Sequence, residues 1–288
     1  LSIAGLDPSG GAGIIADLKT FAAFGCYGAA AVASVTFQNT QGVFGAENLS
    51  AANVRGQVAP LFDDLSIAAV KTGMLPTREI IDAVAEMADE FRFTNLVVDP
   101  VVRSTSGYDL IDDDALRSLV ARLFPRATLI TPNSVEAGRI AGLEVRNYDD
   151  VVRAASTMHD LGARAVLIKG GHLDFGFGNS DSGSDADEGC VFPPSRSEES
   201  DARRIAVDFL FVDGEERRFA APYLQTTATH GTGCTLAAAI AAGLALGFSL
   251  DAAVASAKNY VNAAIRTAPM IGKGHSPVNH FTDPFEDR

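Results

Sequence analysis

Cysteine is scarce: the chain has only Cys26, Cys190 and Cys234, and they stand far apart. An odd number at wide spacing, with no CxxC pair, argues against a disulfide framework or a structural zinc site and fits a reducing compartment. The five histidines show no HExxH spacing. Runs of Lys and Arg are missing too. With 23 basic against 36 acidic residues, the formal net charge is -13. Nucleic-acid binding rests on clustered cations that neutralise phosphates, so a nucleic-acid partner is discounted. The same acidity repels anionic substrates at long range. A nucleotide would need local help from backbone N–H groups, a lysine or a metal. No apolar run is long enough to cross a bilayer. The longest, Leu236 to Leu246, is rich in Ala and reads as a buried core helix. Nothing at the N-terminus reads as a signal peptide. Leu1 already lies inside an apolar run, so a few native residues are expected before it.

What is present is a chain of 288 residues, 47% hydrophobic and 20% charged. That length can bury a large core, and one α/β domain over 1–288 accommodates it. Short apolar runs alternate with amphipathic ones. Strands are expected at Ser2–Gly5, Ala30–Phe37, Ala68–Lys71, Leu96–Asp99, Thr128–Thr131 and Ala165–Lys169. Several lack alternation, as strands covered on both faces do. One helix carries Ile80, Ile81, Val84, Met87 and Phe91 on a face, with Thr77 as N-cap. A second carries Leu116, Leu119, Val120 and Leu123. A third carries Val151, Val152, Ala155, Met158 and Leu161, with Gly162 at its C-terminal cap. Repeated βα units imply a mostly parallel sheet with helices on both faces, and ligands beyond the strands' carboxyl ends. Residues 174–204, rich in Gly, Ser, Asp and Glu, read as a flexible acidic insertion. A β-hairpin is expected at 206–212 and 217–221, then helices at roughly 233–247 and 250–267.

Four segments carry chemistry. His230-Gly231-Thr232-Gly233-Cys234 precedes the Ala-rich helix. Glycines let the backbone approach a ligand, and the first-turn N–H groups make an anion site suited to a phosphoryl group in transit. Cys234, on the same turn, is expected to have a lowered pKa. The plainer alternative is a Gly-rich cap with a buried structural cysteine. Asp7-Pro8-Ser9-Gly10-Gly11-Ala12-Gly13 follows the first strand but is neither GxGxxG nor a Walker A loop. Asp17 lies one turn on, and a tight turn with a solvent-facing Asp is the plain alternative. Thr131-Pro132-Asn133-Ser134-Val135-Glu136 offers oxygen groups on one helix face, suited to Mg²⁺ or to a simple capping box. Lys169-Gly170-Gly171-His172 offers a lysine to a phosphate, or is merely a strand-end turn. Each segment follows a strand, so all four are expected on one edge of the sheet.

The stretches AGLDPSGGAGIIADLKTF, VTFQNTQGV, KTGML, VVDPVV, LITPNSVEA, LIKGGH, HGTGC and GKGHSPVNHF, in that order, closely resemble the hydroxymethylpyrimidine/phosphomethylpyrimidine kinases of the ribokinase-like superfamily. The resemblance covers nearly the whole chain outside 174–204. It implies a three-layer αβα sandwich with a mostly parallel sheet. It also implies two successive phosphorylations, of 4-amino-5-hydroxymethyl-2-methylpyrimidine and then of its monophosphate, with ATP and Mg²⁺, in thiamine biosynthesis. By the same resemblance Ala12, Asp17, Gln38 and Met74 line the pyrimidine pocket, and Gly231, Thr232 and Gly233 form the anion hole. Cys234 is the candidate base, Lys169 contacts the ATP phosphates, and Asp99, Asn133 and Glu136 organise Mg²⁺ and its waters. A cytoplasmic homodimer is implied, with no membrane partner, as is a place for such a module within a larger thiamine enzyme. The competing readings are a pyridoxal or pyridoxamine kinase of the same superfamily and a non-catalytic pyrimidine-binding protein.

Overall fold

The computed structural model describes residues 1–102, 107, 109–171, 190–191 and 204–285. Most of the expected 174–204 insertion, and His172, lie outside the described residues. In chain order the elements are β1 (Ser2–Leu6), α1 (Gly13–Ala23), β2 (Ala30–Asn39), β3 (Gly42–Asn48), α2 (Ala51–Asp64) and β4 (Val70–Thr72). Next come α3 (Arg78–Glu90), β5 (Leu96–Val98), α4 (Asp113–Leu123), β6 (Leu129–Ile130), α5 (Ser134–Ala141), α6 (Tyr148–Asp160) and β7 (Ala165–Lys169). The chain closes with β8 (Cys190–Val191), β9 (Ile205–Val212), β10 (Glu215–Pro222), α7 (Thr232–Ala245) and α8 (Leu250–Arg266).

The strands form one sheet in the order β3-β2-β1-β4-β5-β6-β7-β9-β10-β8. From β2 through β7 every pairing is parallel, while β3 and β9 run antiparallel to their neighbours. The β9–β10 hairpin, turning at Asp213 and Gly214, has the expected position.

The three layers are written in the strand periodicity. Leu96 and Val98 join the core beneath α2 to α6, whereas Val97 between them joins the core beneath α1, α7 and α8. Ile130 and Leu129 divide the same way, as do Val166 with Ile168 and Ala165 with Leu167. Successive side chains point to opposite faces, so a strand apolar at every position needs helices on both sides.

Helix α7 has no polar stripe. Ala237 to Ala242 are all buried, because α7 lies between the sheet and α8. Helix α3 shows the opposite habit, one apolar face with Thr77 capping the Ile80 N–H. Neither β3 nor α2 is among the elements expected from the pattern. β3 reads Gly-Val-Phe-Gly-Ala-Glu-Asn, is largely uncovered, and is an edge strand. α2 carries Gly56 and Pro60 and buries only Val54 and Val58. Among the described residues no helix is long and apolar enough to cross a membrane.

Candidate active site

The parallel strands deliver the motif-bearing segments to one edge of the sheet. β1 leads into Asp7, β2 carries Gln38, and Met74 lies just beyond β4. Asp99 follows β5, Asn133 follows β6, and Lys169 ends β7. A cavity of about 820 Å³ opens along this edge. It is lined by Ala12, Gln38, Met74, Asp99, Asn133 and Glu136, and also by Lys169 and the turn Gly231 to Cys234. The chain runs from β1 to one neighbour, β2, and later to the other, β4. That switch point opens the crevice where ligands of such sheets sit.

The anion end is built from contacts across the sheet. Gly231 has φ +78°, and a Cβ there would lie 1.8 Å from the Gly11 carbonyl oxygen, so the turn packs directly on the Asp7–Gly13 loop. The first-turn amides of α7 have no intrahelical acceptor. Lys169 approaches them, since a Cβ added at Gly233 would meet Lys169 Nζ at 3.2 Å. The same Nζ donates to Asp99 Oδ1 at 3.0 Å and lies 4.0 Å from Glu136 Oε2. Asp99 Oδ1 also accepts from Thr131 Oγ1. Burial works against a charged Lys169, yet Asp99 and Glu136 outweigh it and raise its pKa. Glu136 is pushed up to about 7 by burial, against the pull of Lys169 and with a further push from Asp99.

Asn133 and Glu136 form the capping box that was the plainer expectation. Asn133 Oδ1 accepts the Glu136 N–H, and Glu136 Oε2 accepts the Asn133 N–H. The same box brings the Glu136 carboxylate to Lys169. Among the described residues no group of three or more His, Cys, Asp and Glu could hold a metal ion. The oxygen groups of Asp99, Asn133 and Glu136 suit a hard cation that keeps several waters.

Two expectations need correction. Asp17 neither faces solvent nor lines the cavity. It is fully buried beneath Lys71, whose Nζ donates to its Oδ2 at 2.9 Å, and Ser2 Oγ donates at 2.6 Å. A carboxylate on the sheet-facing side of α1 needs such a partner, so Lys71, not Asp17, reaches the cavity wall. Burial opposes a charge on Lys71, but Asp17 more than offsets this and its pKa is raised. The Cys234 thiol is not lowered either. Burial pushes it up to about 11, although Lys71 pulls the other way and the Gly13 backbone hydrogen-bonds it. Cys234 keeps partial exposure, toward the cavity it lines.

The sequence reading assigns no role to Lys71, Asp7 or His230, although all three lie within the quoted motifs. Asp7 gathers its loop: Oδ2 accepts from the Gly11 and Ala12 N–H groups and Oδ1 from Ser9. His230 Nε2 meets Asp7 Oδ2 at 2.8 Å, joining the substrate-side loop to the anion turn. Burial opposes the Asp7 charge, but His230 and Ser9 hold its pKa below the usual range. For Lys71 the available signal was a charge at the end of an apolar strand.

The family described as phosphomethylpyrimidine kinase matches residues 7–279. A hydroxymethylpyrimidine/phosphomethylpyrimidine kinase of Rhizobium meliloti is 43% identical over 291 residues, covering all of this chain and 98% of that protein. The thiamine biosynthesis bifunctional protein ThiED of Geobacter sulfurreducens is 43% identical over 281 residues, 98% of this chain and 52% of its own length. The chain thus spans about half of that relative. Among solved structures, an ADP complex of Bacillus subtilis pyridoxal kinase aligns with a TM-score of 0.80 at 33% identity, covering 97% of this chain and 95% of that one. The fold is ribokinase-like, and the chain belongs to the phosphomethylpyrimidine kinase family.

Proposed function

We propose that this chain phosphorylates 4-amino-5-hydroxymethyl-2-methylpyrimidine and then its monophosphate, with ATP as donor. The observation that carries the reading is the meeting of Lys169 with the α7 N-terminus on one side and with Asp99 and Glu136 on the other. Phosphoryl transfer needs little covalent work from a protein. It needs in-line positioning and fixed positive groups around the moving charge. The free amides of the Gly231–Cys234 turn and Lys169 supply those groups to the transferring phosphoryl. Gln38 offers a donor and an acceptor to the pyrimidine's amino group and ring nitrogen, and Met74 packs on the ring.

In the first reaction the substrate hydroxyl oxygen attacks the γ-phosphorus, the bond to the bridging oxygen of ADP breaks, and the hydroxyl proton leaves. Cys234 is the candidate acceptor of that proton. A thiol near 11 is protonated at neutral pH, so its part is largest where Lys71 and alkaline pH favour the thiolate. In the second reaction a phosphate oxygen of the monophosphate attacks, and no hydroxyl needs a base. Asp99, Asn133 and Glu136 would hold Mg²⁺ through its waters. Bound there, the ion would offset phosphate charge.

A second reading, pyridoxal kinase, is favoured by the likeness to the Bacillus subtilis enzyme. The higher identity to the pyrimidine kinases weighs against it. The test is to incubate the purified chain with ATP, Mg²⁺ and hydroxymethylpyrimidine, its monophosphate or pyridoxal, and to follow products by mass spectrometry. Conversion of the first two, the monophosphate included, is expected. Turnover of pyridoxal without the monophosphate would move the assignment to the second reading. We further propose a cytoplasmic homodimer. Fusion to a second thiamine-forming module, as in ThiED, is compatible with the chain.

A further inference from the structure

Two charged residues outside the expected site line the cavity beside the β9–β10 hairpin. Asp208, on β9, is 4% exposed and Lys258, on α8, is 9% exposed. Lys258 Nζ donates to Asp208 Oδ2 at 2.8 Å. The other carboxylate oxygen, Oδ1, accepts the Gly170 N–H at 3.1 Å. Asp208 is also the cross-strand partner of Lys169 in the β7–β9 ladder. One carboxylate therefore grips the backbone immediately after Lys169 and ties it to α8.

Packing alone does not account for this pair. Desolvating two charges is costly, and apolar side chains of similar volume often hold a fold as well or better. An apolar pair would leave the buried Gly170 N–H without its acceptor, and that hydrogen bond is what the carboxylate adds. An unpaired Asp208 would in turn add negative charge to a cavity that already contains Asp7, Asp99 and Glu136. Lys258 cancels that charge where a polyphosphate has to approach.

We infer that Asp208 and Lys258 are a positioning pair for the nucleotide. Asp208 holds the Lys169–Gly170–Gly171 turn so that Lys169 Nζ stays between Asp99 and the first turn of α7. Lys258 keeps Asp208 from repelling the phosphates. This rests on the kinase reading of the cavity.

The test uses the full chain, ATP with Mg²⁺ titrated by calorimetry, and thermal unfolding. The double variant Asp208→Leu/Lys258→Met removes both charges and the Gly170 acceptor. Its Tm is expected within about 3 °C of wild type, with ATP affinity down roughly tenfold or more and the pyrimidine KM within about twofold. A preserved Tm with ATP affinity within about twofold of wild type would overturn the proposal. The single variant Lys258→Gln keeps a donor for Asp208 but leaves its charge. It is expected to lose roughly threefold to tenfold in ATP affinity with the pyrimidine KM within about twofold. No loss of ATP affinity, or an equal loss in both, counts against the pair. A wild-type chain that binds ATP without phosphorylating the pyrimidine would reject the substrate reading while both variants still decide this one. A wild-type chain that fails to bind ATP would reject both.

Discussion

At Cys234 two physical effects oppose each other, and the outcome sets the pH behaviour. The helix N-terminus and Lys71 favour a thiolate, but burial wins and the thiol sits at about 11. If Cys234 is the base, turnover of the hydroxymethyl substrate should climb about tenfold per pH unit from 7 toward 10, as the thiolate fraction grows. The Cys234→Ala variant should be lower by about 10²–10⁴ and lose that slope. A loss under about fivefold would mean that deprotonation does not limit the step. Phosphorylation of the monophosphate should be far less sensitive, which a comparison of the two substrates checks. His280 provides a stability test. Burial, then the nearby charges of Lys19 and His230, depress its pKa to about 4. The unfolded chain takes up that proton near pH 6.5 and the folded chain only near 4. Stability is therefore full above pH 6.5 and falls as pH drops to 4, by about 3 kcal/mol. Chemical denaturation of wild type and His280→Asn between these pH values should show the dependence shrinking in the variant.

Among elements, the junction of the α7 N-terminus with the Asp7–Gly13 loop is the most constrained. Gly231 combines a left-handed φ with near-contact to the Gly11 carbonyl. Gly231→Ala should force the two loops apart, cost at least about 1–3 kcal/mol and nearly abolish turnover. Circular dichroism melts and ATP kinetics check both. Gly233 is different. Its φ is ordinary for a helix, and the group an added Cβ meets is the end of the Lys169 side chain. Gly233→Val should therefore leave the fold intact and remove activity, as a crowded phosphate site would. Normal kinetics in that variant would reject the anion-site role. α7 and α8 were legible as helices because long Ala-rich runs favour that form. β3 and α2 were not. Glycines and exposure weaken the β3 pattern, and Gly56 with Pro60 interrupts that of α2, so tertiary pairing and packing decide both.

The whole molecule is acidic, and the site has to receive a polyanion. Long-range repulsion should make the second-order rate constant for ATP, kcat/KM, rise severalfold as ionic strength goes from about 0.01 to 0.15 M. A fall over that range would mean that the local cations, Lys169 among them, dominate encounter. The site itself spans most of the chain. Asp7, Gln38, Met74, Asp99, Asn133, Lys169 and the Gly231–Cys234 turn meet only because parallel strands deliver their ends to one rim.

The sequence by itself determined the alternation of strands and helices, the two-sided burial of the strands and the order of the motif-bearing loops. These depend on local periodicity and on residue types at short spacing. Only the tertiary structure decided that Asp17 faces Lys71 instead of the cavity and that the Cys234 thiol is raised. It also decided that Asp208 and Lys258 stand behind the Lys169 turn. A side chain's partner and its solvation depend on segments distant along the chain, and no local pattern encodes them.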